Sequence, residues 1–162
     1  MKISKIRNVK TPNRGTEKSA GIDFFIPDYD EKFKEDFLNK NPNIIINEEG
    51  ILLYPHQRVN IPSGIKCNIP SGYALIAYNK SGISLKYGLD VGASVIDEDY
   101  QGELHLSLVN TSNEEIKINY GQKIIQFILL PVFYDIIEEI EENLLFEEKT
   151  ERGNGGFGST GV

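Results

Sequence analysis

With 162 residues the chain is one domain's worth, long enough to bury a core without staples, and its single cysteine, Cys67, excludes an internal disulfide. The net charge of −7 excludes general affinity for nucleic acid, which needs clustered Lys and Arg, so an anionic ligand must be met by a few local cations. The opening M-K-I-S-K-I-R lacks an apolar signal core and no apolar run approaches membrane-spanning length, so the expectation is a soluble, cytoplasmic protein with no membrane partner.

Residues 1–9 read as a first strand, closed by the turn T-P-N-R-G. A second follows in S-A-G-I-D-F-F-I-P, residues 19–27. There Gly21 permits close backbone approach, and Asp23 heads an apolar run where an acid is costly unless it is partnered or accepts hydrogen bonds in a turn. Phe33, Phe37 and Leu38 then stand at helical spacing behind an acidic start. They predict one short helix within an insertion of about residues 28–47. Short apolar runs at 44–46, 51–54, 58–61, 64–69 and 73–78 alternate with Pro and Gly turns, which predicts an all-β fold: a sandwich, jelly roll or barrel. Cys67 falls on one of these runs and reads as an inert thiol in a reducing compartment.

In N-K-S-G-I-S, Lys80, Ser81 and Gly82 offer a charge, a hydroxyl and a bare amide within three residues. That is equipment for holding a phosphate, and also an ordinary turn. Residues 90–110 predict a β-hairpin: a short arm, an acidic bend at Asp97, Glu98, Asp99 and Tyr100, and a strand alternating Leu104, Leu106 and Leu108 against His105, Ser107 and Val109. Three carboxylates so close would repel one another if buried, so at least one must be solvated or matched to a positive group. Residues 124–132 predict a central strand whose only amide, Gln126, must bond either within the core or to a ligand. Residues 136–146 suit a strand or a helix. In the tail E-R-G-N-G-G-F-G-S-T-G-V, the glycines match G-x-G-x-x-G, but no helix can follow in four residues, so a dinucleotide fingerprint is excluded. What remains is a flexible arm with one cation, Arg152, and one ring, Phe157. Glycine tails are commonly disordered, yet a cation for phosphate and a ring for stacking on a base describe a lid over a nucleotide.

Five stretches, S-A-G-I-D-F-F, N-K-S-G-I-S, G-A-S-V-I-D-E-D-Y-Q-G-E, G-Q-K-I-I-Q-F-I and R-G-N-G-G-F-G-S-T-G, resemble in order the five motifs of the trimeric dUTPase family and together span residues 19–161. The resemblance implies a jelly-roll or β-clip barrel over residues 1–150, followed by a closing arm at 151–162. It implies a homotrimer with shared active sites and Mg2+-dependent hydrolysis of dUTP to dUMP and pyrophosphate, which keeps uracil out of DNA and supplies dUMP for dTMP synthesis. By position, Asp97 matches the aspartate that activates the water attacking the α-phosphorus, and Tyr100 the ring against the deoxyribose that leaves no room for a 2′-hydroxyl. Main-chain groups around Val91 and at Val95, Ile96 and Asp97 match the uracil-reading hairpin. Lys80, Ser81, Gly82 and Gln126 match phosphate contacts, Asp23 a supporting acid, and Arg152, Phe157 and Gly158 the arm that closes on the γ-phosphate and base. Mg2+ is expected mainly on the triphosphate and waters, with no direct protein ligand.

Two features depart from the family pattern. Asn79-Lys80 stands where Pro-Arg is usual, keeping the charge but losing the bidentate fork, and the insertion is longer than most members carry. Two other readings compete. A dCTP deaminase shares the fold and the glycine-rich arm, and a non-catalytic jelly-roll module would bind nucleotide as a regulator. The I-D-E-D-Y-Q-G turn favours hydrolysis over the first. A water-activating acid, for which a pure binder has no use, argues against the second.

Overall fold

Alternating burial along short runs builds most of the chain, and the computed structural model describes residues 1–156. In order these are β1 (Lys2–Lys5), β2 (Ile22–Phe25), α1 (Glu31–Lys40), β3 (Ile45–Asn47), β4 (Gly50–Leu53), β5 (Arg58–Pro62), β6 (Ile65–Asn68), β7 (Tyr73–Asn79), α2 (Ser81–Tyr87), β8 (Leu89–Val91), β9 (Val95–Ile96), β10 (His105–Asn110), β11 (Ile116–Ile118) and β12 (Lys123–Pro131). The strands pair antiparallel in four sheets, β1-β6, β5-β10-β8, β11-β4-β3 and β2-β12-β7-β9. Among the described residues these pairings do not close into a continuous barrel. The fold is mostly β, and among the described residues no helix is long and apolar enough to cross a membrane.

Among the described residues there are two α-helices instead of the single expected one. In α2, the run after Lys80 coils for seven residues and ends at Gly88, whose left-handed backbone (φ 66°) lets its N–H reach Ser84 O at 2.8 Å. None of its residues is buried, so it carries no apolar stripe for periodicity to detect. The expected helix, α1, is capped by Asp30, which accepts the Phe33 N–H at 2.6 Å, and it buries Phe33 and Phe37. At its end the Asn41 side chain donates to Phe37 O (2.9 Å) and Asn60 O (3.0 Å) and accepts from Asn60 N (2.8 Å), tying the insertion to β5.

The acidic hairpin divides between two sheets. Val91 pairs with Leu108 and Leu89 with Asn110, as a hairpin requires, but Ile96 leaves to pair with Leu75 of β7. Leu104, Leu106 and Leu108 are buried while His105, Ser107 and Val109 are half-buried, the alternation the sequence predicts. Residues 136–146 form neither strand nor α-helix, only a single 3-10 turn at Glu142–Leu144. Cys67 is buried, which pushes its thiol up to about 11 and leaves it an inert protonated group at neutral pH.

Candidate active site

Asp23 lies on β2, whose neighbour β12 is flanked on its far side by β7; in register, Asp23 faces Gln126 and Gln126 faces Tyr78. This brings the end of β7, and with it Lys80, beside the buried acid. Lys80 Nζ donates to Asp23 Oδ1, and Lys123 Nζ to Oδ2 at 2.9 Å. Burial works against the charged form, but the two lysine hydrogen bonds outweigh it and hold the Asp23 carboxyl below the usual carboxylate range. Gln126 Nε2 donates to Asn79 O at 2.7 Å, and a Cβ on Gly21 would stand 1.9 Å from Gln126 Oε1, so the amide keeps this place only beside a glycine. The sequence reading missed Lys123. An acid on an apolar strand signals a need for a partner or a turn, and that a lysine meets it depends on strand pairing across 100 residues.

Asn79 ties the Lys80-Ser81-Gly82 turn to the root of the acidic hairpin. Its Oδ1 accepts the Val91 N–H at 2.6 Å and its Nδ2 donates to Asp90 Oδ1 at 2.7 Å, while Ser84 Oγ bonds the same carboxylate at 2.5 Å. The Val91 N–H is therefore already engaged. Ser81 and Gly82 open α2, and nothing lies within 4 Å of a Cβ placed on Gly82.

Val95, Ile96, Asp97 and Tyr100 line a second place, a cleft of about 250 Å³ shared with His105 and Ser107. Asp97 is exposed, and its carboxylate makes no hydrogen bond among the described residues. Of the three acids in the bend it is Glu98 that is tied down. The Gly72 N–H, helped by Ser71 Oγ at 3.2 Å, keeps its carboxyl below the ordinary range. Among the described residues no group of three or more His, Cys, Asp or Glu side chains could hold a metal ion.

The two places are far apart in one chain. Ile96 pairs with Leu75, which puts Asp97 beside Ala74, six residues along β7 from Lys80; at the rise of an extended strand this is roughly 20 Å. Arg152 joins neither, its guanidinium bonding Gly155 O at 2.9 Å, and Phe157 and Gly158 lie outside the described residues.

The site thus has two parts, an exposed carboxylate in a small cleft and, elsewhere on the same β framework, two lysines paired with a buried acid. A sequence profile of the dUTPase family matches residues 45–161. Relatives include the deoxyuridine 5′-triphosphate nucleotidohydrolases of Wolbachia sp. subsp. Brugia malayi, 34% identical over 99% of this chain and 90% of that one, and of Paramecium bursaria Chlorella virus 1, 35% identical over 97% and 94%. Among solved structures, a mutant dUTPase of Staphylococcus bacteriophage 80alpha with dUpNHpp has a TM-score of 0.75 at 25% identity, covering 99% of this chain and 98% of that one. A phage phi11 dUTPase mutant, whose structure details the coordination of a structural Mg(II) ion, shares the fold with a TM-score of 0.67 at 21% identity, covering 87% and 96%. The chain belongs to the dUTPase family. Its reaction is the hydrolysis of dUTP to dUMP and pyrophosphate.

Proposed function

We propose that Asp97 activates the water for this hydrolysis and that the active site is completed between subunits of a homotrimer. Asp97 takes a proton from water as its oxygen bonds the α-phosphorus; the bond to the bridging oxygen breaks and pyrophosphate leaves. Lys80, Ser81, Gly82 and Gln126 hold the phosphates, Asp23 keeps Lys80 in place, and Tyr100 lies against the sugar. Main-chain groups at Val95 and Ile96, with the remaining groups at Val91, read the base. Residues 151–162 close the site through Arg152 and Phe157. Mg2+, arriving on the triphosphate with several of its waters, would supply neutralisation of phosphate charge, with no direct protein ligand required. We infer as well that the four sheets wind as a jelly roll of the β-clip kind, and that the lone protonated thiol suits a cytoplasmic setting.

The observation that carries the shared site is the separation of Asp97 from Lys80, too great for one triphosphate to bridge within a chain. A second feature supports it. Phe133, Ile136 and Ile137 are each at least 90% exposed on a segment that, among the described residues, belongs to no strand or helix, and apolar exposure of this kind calls for cover by another copy. The test is to mix Asp97→Asn with Lys80→Ala after dissociation. Random pairing in a symmetric oligomer restores about a quarter of the sites, read as pyrophosphate release from dUTP with Mg2+, whereas sites contained in one chain stay dead. The same assay with dCTP, followed for ammonia, is expected to give none.

Gly21→Ala tests the amide. The added methyl displaces the Gln126 carboxamide, and a misplacement of about 1 Å is enough to lower kcat by up to about 100-fold. Melting should move little, because the displaced atoms end a flexible side chain. A variant with normal kcat would remove Gln126 from the phosphate site.

A further inference from the structure

The inserted helix is wired to the cleft at its opposite side. Arg7, 8% exposed, donates from Nε to Glu103 Oε1 at 2.8 Å and from Nη2 to Glu103 Oε2 at 3.0 Å, and Nη2 also meets Asp36 Oδ2 of α1 at 2.6 Å. The Phe33 ring of α1 faces the same guanidinium, with Cζ 5.9 Å from its centroid. Glu103 is held again by the Gly64 N–H at 2.7 Å. Burial alone would push the Glu103 carboxyl up, but Arg7 and this amide hold it below its ordinary range, so the pair stays charged at neutral pH.

What Glu103 does with its main chain links this clamp to the site. Its carbonyl oxygen accepts the Tyr100 hydroxyl at 3.0 Å, and the phenol lies so close over Gly102 that a Cβ there would stand 2.2 Å from the hydroxyl oxygen. Tyr100 thus has two anchors, a backbone floor and one carbonyl, and the carbonyl belongs to the residue that Arg7 grips.

We propose that α1 is a positioning element for Tyr100: Asp36 and Phe33 fix Arg7, Arg7 fixes Glu103, and the Glu103 carbonyl fixes the ring that excludes a ribonucleotide. The insertion is then a specificity device for deoxyribose. This rests on reading Tyr100 as the wall against the sugar. Asp36 and Arg7 are positioning residues: they act through Glu103 and touch no substrate.

The test uses the full-length protein with dUTP and UTP. Asp36→Asn removes the charge at constant shape, and Arg7→Lys keeps the charge but cannot fork across two carboxylates. Each should lower the ratio of kcat/KM for dUTP over UTP by roughly tenfold, the size of one lost charge-assisted bond partly transmitted to the ring. In a Tyr100→Phe background, where the hydroxyl link is already cut, neither should lower the ratio further, a non-additivity that a merely structural role does not produce. An unchanged ratio in the single variants, or the same loss in the Tyr100→Phe background, overturns the proposal. Tyr100→Ala separates the two levels. If it leaves the ratio at the wild-type value, the placement of Tyr100 against the sugar has failed; if it relaxes the ratio while Asp36→Asn and Arg7→Lys do not, only the role of the helix falls.

Discussion

Asp97→Asn should lower kcat for dUTP by about 10²–10⁴-fold while nucleotide binding persists. The substitution keeps the size of the side chain and a carbonyl acceptor to orient water, but an amide cannot take the proton. Loss of a positioned general base has this size, about 3–5 kcal/mol of barrier. The lysines that hold Asp23, and Gln126 beside them, are untouched, so titration with a non-hydrolysable dUTP analogue should report a dissociation constant near that of the parent. Stability should not change either. The Asp97 carboxylate is exposed and has no internal bond among the described residues, and surface changes of that kind stay within about 0.5 kcal/mol. Slow turnover, retained binding and an unchanged melt together identify a chemical role. Turnover at parental speed would move the base elsewhere.

How far the sequence reaches is clear from which interactions are local. The alternation of Leu104, Leu106 and Leu108 with polar neighbours is a period-two signal and gives the strand and its buried face directly. Asp23 announces only that it needs a partner, because an acid on an apolar strand is expensive to bury; the partners, Lys80 and Lys123, stand 57 and 100 residues away, and only the order β2-β12-β7 brings them in. Helix α2 was invisible for the opposite reason: with no buried residue, nothing in its composition records which way it faces. Turn chemistry is local, so residues 90–110 read as one hairpin, while the departure of Val95 and Ile96 to a second sheet is a tertiary choice. The same limit hid the Arg7 clamp. It joins residues 29 and 96 positions apart; Asp36 lies in no pattern that singles it out, and Glu103 closes the third motif with nothing local to tie it to Arg7.

Phe33→Ala should cost about 3–5 kcal/mol of stability, the usual toll for emptying a fully buried aromatic site, and lower the melting temperature by roughly 10 °C at this chain length. An insertion that merely decorates a domain would behave differently, since its removal or truncation leaves the core alone. Here the ring is wholly buried, 6.1 Å from Phe37 and 6.2 Å edge-on from Tyr120, whose hydroxyl in turn bonds the main chain at Asn47. Deleting it opens a void between α1 and the sheets that rigid strands cannot collapse into, and takes away the face on which the Arg7 guanidinium rests. Melts must be compared at matched protein concentration, because a subunit equilibrium shifts the midpoint by mass action. A loss of under about 0.5 kcal/mol would mean that α1 is an appendage, and the clamp on Tyr100 would lose its mechanical footing with it.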